Sequence, residues 1–163
     1  MKNKGFSLVE LIIVIAIMAI LAAAIAPALI RYIDKSRRSD DVAAAETINT
    51  AAQAALANED AYDEIQGAMP TTASTATALF TAPKDSPFVA ITGVTGMTNG
   101  GATFLEELNS SCGGKAPKLK FTKKGASDWT VGVNEAGKPV VWLGTGAGGT
   151  SWELQPTIHK DYK

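Results

Sequence analysis

The chain has 163 residues, a net charge of −1 and one cysteine. That length allows one modest domain plus an extra element, not two large domains, and the near-neutral charge gives no whole-chain bias toward nucleic acid or acidic surfaces. Cys112 alone rules out an intrachain disulfide and every paired-cysteine metal motif, so packing has to hold the folded part together.

The chain opens MKNKGFSLVELIIVIAIMAI, and Glu10 interrupts an otherwise apolar run. A carboxylate in the middle of a membrane helix costs about 2.5–3.5 kcal/mol, so its position requires a reason. Residues 11–30 are twenty apolar positions, Pro27 included, enough to cross a hydrocarbon core. Pro27 removes a backbone donor and predicts a kink or loosening near residues 23–27. In one reading this is a conventional secretory signal, with Lys2 and Lys4 as its basic start and Ala24-Ile25-Ala26 as its cleavage site. In the other, the apolar segment is retained and processing occurs before it. Glu10, the length of the run and a proline as first mature residue all count against the conventional signal. A secreted, soluble binding protein is the reading that would follow from it.

Between Phe6 and Gln66 there is no glycine and a single proline. This predicts one helix from Phe6 to about Asn58, about 80 Å long at about 1.5 Å per residue, with residues 31–66 as its amphipathic continuation. Val42, Ala45, Ile48, Ala52, Ala55 and Leu56 recur at three- and four-residue steps, and Asp40, Asp41, Glu46 and Asn49 are read as lying mostly off that line. Arg31, Lys35, Arg37 and Arg38 face eight carboxylates over residues 31–66. They can meet lipid headgroups or a neighbour's carboxylates, or simply be solvated. Four cations here run against the positive-inside rule for an N-terminus held in the cytoplasm.

From Gly67 onward there are fourteen glycines and six prolines, which predicts a loop-rich module with strands over residues 67–163. The Thr/Ala/Ser-rich stretch after Gly67 reads as a surface connection with short turns and strands. Residues 102–110 read as a short helix with Phe104, Leu105 and Leu108 on one side. Leu119 and Phe121 alternate with Lys118 and Lys120 as a half-buried strand. DWTVGVNEAGKPVVWL predicts a hairpin with a four-residue loop, Asn134–Gly137. That register pairs Val133 with Lys138, Val131 with Val140 and Trp129 with Trp142, and puts both tryptophans on one apolar face. Pro139 then belongs at a strand start or an edge. The tail is predicted to be ordered only where Trp152 and Leu154 pack back. The fold class is α+β: a long N-terminal helix whose second half packs on a small antiparallel sheet.

Residues with chemical potential are few. His159 lies in a polar tail without a rigid frame. Cys112, in SSCGGK, has no base nearby in sequence. GTGAGGT lacks the Lys-Ser/Thr ending of a phosphate loop, and Glu106 and Glu107 are read as a solvated helix face. The sequence therefore predicts no catalytic residue, no metal site and no cofactor.

KGFSLVELIIVIAIMAILAAAIAP resembles the class III leader and helix start of bacterial type IV pilins and their relatives. The pattern is a short basic leader ending in Gly5, then Phe6, then Glu10, then about twenty apolar residues with a proline near the end. The resemblance implies a pilin fold divided into a leader (1–5), a membrane and filament-core helix (6–30), its amphipathic continuation (31–66) and a head (67–163). It implies cleavage after Gly5 by a prepilin peptidase, Phe6 as an N-methylated mature terminus, Glu10 as the acidic residue that pairs with the Phe6 amine of a neighbouring subunit, and Pro27 as the helix-breaking proline. The implied function is that of a structural subunit of a type IV pilus, serving adhesion or motility; the alternative is a pseudopilin of a type II secretion or DNA-uptake machine. The implied partners are copies of itself, the peptidase, an assembly platform with other pilins, and the lipid bilayer before assembly, with no nucleic acid contacted directly. The implied location is the cytoplasmic membrane, as a single-pass precursor with a cytoplasmic N-terminus, and then an extracellular filament.

Overall fold

The computed structural model describes residues 7–72, 76–83, 85–122, 125, 127–144 and 151–163. The chain divides after Ser36 into two units. Helix α1 spans Leu8–Leu56 and contributes to both. Its helical assignment continues through Pro27 without interruption. The predicted loosening at 23–27 is not a break, because removing one N–H leaves the other helical bonds in place.

The second unit, Arg37–Lys163, holds the core. Within it α1 buries Asp41, Ala45, Ile48, Ala51, Ala52 and Ala55. The predicted continuous helix over 31–66 is two helices. Asn58 adopts an extended conformation, and its side chain accepts the N–H groups of Asp60 and Ala61. It thereby caps helix α2, Glu59–Gln66, whose first turn is acidic, as suits the positive end of a helix dipole.

Five antiparallel strands follow: β1 (Thr77–Ala82), β2 (Val89–Ala90), β3 (Trp129–Val133), β4 (Pro139–Leu143) and β5 (Trp152–Gln155), in the order β2-β1-β3-β4-β5. Helix α3, Ala102–Ser111, lies between β2 and β3 in sequence and buries Phe104 and Leu108. The stretch predicted as a surface connection contains β1, an interior strand with Leu79 and Phe80 fully buried. The Phe80 ring stacks on Phe104 at 4.8 Å.

The β3–β4 hairpin is shifted by one residue from the predicted register. Val133 faces Pro139, Val131 faces Val141 and Trp129 faces Leu143. Asn134 causes the shift: its N–H donates to the Lys138 carbonyl, and its Oδ1 accepts the N–H groups of Ala136 and Lys138. Lys138 is drawn into a five-residue loop, closed by Gly137 at φ 68°. Because side chains alternate along a strand, one residue of slip sends Trp142 to the face opposite Trp129. Trp129, Val131, Val133, Val141 and Leu143 join the main core, whereas Val140 and Trp142 are buried outside it. Pro139 opens β4, where no ladder donor is required.

Residues 118–121 alternate exposed and buried as predicted, but form no strand; they are held by a side chain of α1, described below. Gly132 lies where β1, β3 and the Trp142 ring meet. A Cβ there would collide with the Thr77 carbonyl and approach Trp142 Cζ3 to 2.9 Å. Gly132→Ala is expected to lower unfolding stability by about 3 kcal/mol, read as a lower denaturation midpoint with an unchanged denaturant slope.

Candidate assembly segment and head anchor

Helix α1 begins at Ser7-Leu8-Val9-Glu10, a capping-box sequence. Ser7 precedes the helix, its carbonyl accepts the Leu11 N–H, and Glu10 reaches back so that Oε2 accepts the Ser7 N–H at 2.9 Å. Glu10 therefore has a local partner, and it sits on an exposed face beside exposed leucine and valine. Gly5 and Phe6 lie outside the described residues. Pro27 is inside the helix and exposed. From Leu8 to Ile30 the large apolar side chains remain between 47 % (Val14) and 73 % (Leu8) exposed. Such a surface is strongly unfavourable in water. Among the described residues this is one helix long and apolar enough to cross a membrane.

The head is anchored to α1 by a carboxylate that sequence reasoning placed off the apolar line. Asp41 is fully buried. Its Oδ1 accepts the Lys120 N–H at 2.8 Å and its Oδ2 the Phe121 N–H at 2.9 Å. Two charge-assisted backbone bonds stand in for the ladder that residues 118–121 lack. The signal was present: Asp41 stands four residues before Ala45 and so begins the 41-45-48-52-55 stripe. Its neighbour Asp40 points outward and pairs with Lys120 Nζ at 3.1 Å, both side chains half exposed, so that pair adds little.

Around Asp41 the tail closes. The Arg38 guanidinium lies 4.9 Å over the Phe121 ring and donates through Nη1 to the Asp161 carbonyl at 3.1 Å. Tyr162 is buried, edge-on to Phe121 at 5.8 Å and tilted against Trp152 at 6.3 Å. Burial, then the Asp41 and Asp161 charges, push the Tyr162 hydroxyl up to about 12, against the pull of Arg38. The tail is thus ordered beyond the predicted Trp152 and Leu154. His159 caps the last turn by accepting the Asp161 N–H at 3.3 Å, and its Nδ1 is 4.0 Å from Asp161 Oδ2. Cys112 ends α3, partly buried, and burial raises its thiol above the ordinary range. Glu106 and Glu107 are exposed. Most of GTGAGGT falls outside the described residues. No group of three or more metal-ligating side chains occurs among the described residues.

A family model described as the prokaryotic N-terminal methylation motif matches residues 1–26. The type IV major pilin protein PilA of Myxococcus xanthus (strain DK1622) is 35% identical over 63 residues, 39% of this chain. Over part of its length the chain is similar to a type IV pilin. The match spans 29% of that relative's length, and no solved structure matches the chain at a significant level. The matched motif includes Gly5, Phe6 and Glu10, and stops one residue before Pro27. The α+β fold accompanies it: a long N-terminal apolar helix and, among the described residues, a five-stranded antiparallel sheet.

The head anchor makes two testable statements. Asp41→Ala is expected to cost about 3 kcal/mol of unfolding stability by orphaning two N–H groups. Burial, opposed by the Lys120 and Phe121 backbone bonds, raises the Asp41 carboxyl above the ordinary aspartate value. The native state therefore binds the proton more tightly than the unfolded chain, and stability contributed here falls as pH rises through the window between the two values. Asp41→Asn is expected to flatten that part of the stability–pH curve, measured by denaturation across the acidic range.

Proposed function

We propose that the chain is a structural subunit of a type IV pilus, cleaved after Gly5, N-methylated at Phe6 and assembled through Phe6–Ile30 into a helical surface filament. The coarser reading, a pilin or pseudopilin, is supported by the methylation motif and the similarity to a pilin. The observation that carries the finer reading is the apolar half of α1: its side chains find no cover among the described residues, and it begins with a carboxylate. Moving such a helix from bilayer to filament core exchanges one apolar environment for another, so the change per residue is small beside transfer into water.

Glu10 supports the same reading. A lone carboxylate in apolar surroundings is costly, and so is a lone ammonium. The Ser7 N–H occupies one Glu10 oxygen, and the other is left for the Phe6 amine of a neighbouring copy. A pair formed between subunits offsets two burial costs together and selects one axial register. Pro27 supplies the place where the helix loosens on assembly, since its missing N–H leaves the Ala23 carbonyl without its helical donor. Before assembly the chain is a single-pass membrane precursor with its N-terminus in the cytoplasm. Its partners are then a prepilin peptidase, an assembly platform and other pilins.

Intact mass of the mature protein is expected to correspond to a chain starting at methylated Phe6; a start at Pro27 would overturn the proposal. Glu10→Leu is expected to reduce sheared surface filament at least about tenfold, since breaking a buried pair costs about 3–5 kcal/mol, while the head stays folded. Electron microscopy of the sheared material distinguishes a long pilus from a short pseudopilus.

A further inference from the structure

Three segments meet at one place on the head: α1 at Arg38 and Asp41, the segment 118–121, and the tail at 159–163. The first two are joined by the bonds from Lys120 and Phe121 to Asp41. The third is joined by contacts that include the His159 N–H to the Glu153 carbonyl, Arg38 to the Asp161 carbonyl, the Trp152 indole to Asp161, and the buried Tyr162 ring. No strand pairing extends beyond Gln155. A single turn of 3-10 helix, Lys160–Tyr162, carries the ring into place.

Closing this turn has a cost. The Tyr162 hydroxyl and Arg38 Nε are both buried, and neither has a protein hydrogen-bond partner among the described residues. Opening would hydrate both, while re-exposing the ring and the edge of Phe121. Burial of an aromatic ring is therefore set against two unpaired polar groups, a balance that leaves the turn poised rather than locked.

We infer that residues 159–163 form a latch that opens locally, without unfolding the sheet, and that its opening uncovers the junction between Asp41 and residues 120–121. The latch does the closing work that a disulfide cannot do in a chain whose single cysteine, Cys112, lies on another element. It is also sensitive to alkali. The hydroxyl faces Asp41, Arg38 and Asp161, and an ionised phenolate buried among two carboxylates and one guanidinium favours the open form.

Hydrogen exchange of the full chain in detergent micelles tests this, because local opening is read directly at the Lys120 and Phe121 amides. Tyr162→Phe removes the unpaired hydroxyl and keeps the ring, so exchange at both amides is expected to slow by about tenfold. Tyr162→Ala removes the ring, and exchange there is expected to rise at least about tenfold while the β3 amides of Val131 and Val133 keep their protection. Exchange in Tyr162→Phe that equals or exceeds that of the parent chain overturns the inference. So does a rise in Tyr162→Ala shared equally by the β3 amides, which would make the tail part of the global fold. If Tyr162→Ala does not fold, the Tyr162→Phe comparison alone decides.

Discussion

From Leu8 to Ile30 the large apolar side chains of α1 lie on the surface of their own chain, while from Asp41 onward the same helix gives one face to a packed core. Two solvents are thus written into one secondary-structure element. The change falls over residues 31–40, where Arg31, Lys35, Arg37, Arg38, Asp34 and Asp40 interrupt the apolar run. The first half needs apolar surroundings that this chain does not supply. The second half supplies the wall against which β1, β3, β4 and β5 are stacked. Processing, membrane residence and self-assembly follow from the first half in the proposed function; the fold of the head follows from the second.

Much of this was legible because it rests on periodicity and local chemistry. The apolar run, the α1 stripe through Ala45, Ile48, Ala52 and Ala55, and the short α3 helix all follow from three- and four-residue spacing. Errors arose where one polar side chain overrode the pattern. Asn134 took two N–H groups into the hairpin loop and moved the register by one. Asn58 ended one helix and capped another. Asp41, read with its polar neighbours as mostly off the apolar line, occupies a stripe position, because two backbone donors from residues 120–121 compensate its burial. Each of these bonds joins the side chain to a backbone whose position depends on the fold, so composition alone does not announce them. The interior place of β1 was obscured for a different reason: its threonines and alanines suit a loop as well as a half-buried strand. At the N-terminal segment the residue pattern was legible, yet the roles proposed for Gly5, Phe6, Glu10 and Pro27 belong to processing and assembly, which one folded copy does not display.

The head also shows how a chain with one cysteine closes its last strands. Trp152 and Leu154 bring β5 onto the sheet, and Tyr162 carries the tail back to α1 beside Arg38 and Asp41. The sites of closure are nearly all polar–backbone or aromatic contacts. Their strength depends on the exclusion of water, unlike a covalent link, which persists when the surroundings open.

The one-residue slip in the β3–β4 hairpin has an optical consequence. Trp129, whose indole N–H donates to the Pro117 carbonyl at 2.8 Å, belongs to the face that meets the helices, and Trp142 belongs to the other. Trp152, opposite Leu143 as Trp129 is, shares the Trp129 face and the main core, so the three indoles report on opposite sides of one sheet. A change confined to the helix side of the head would alter the Trp129 and Trp152 emission and leave Trp142 as a built-in reference.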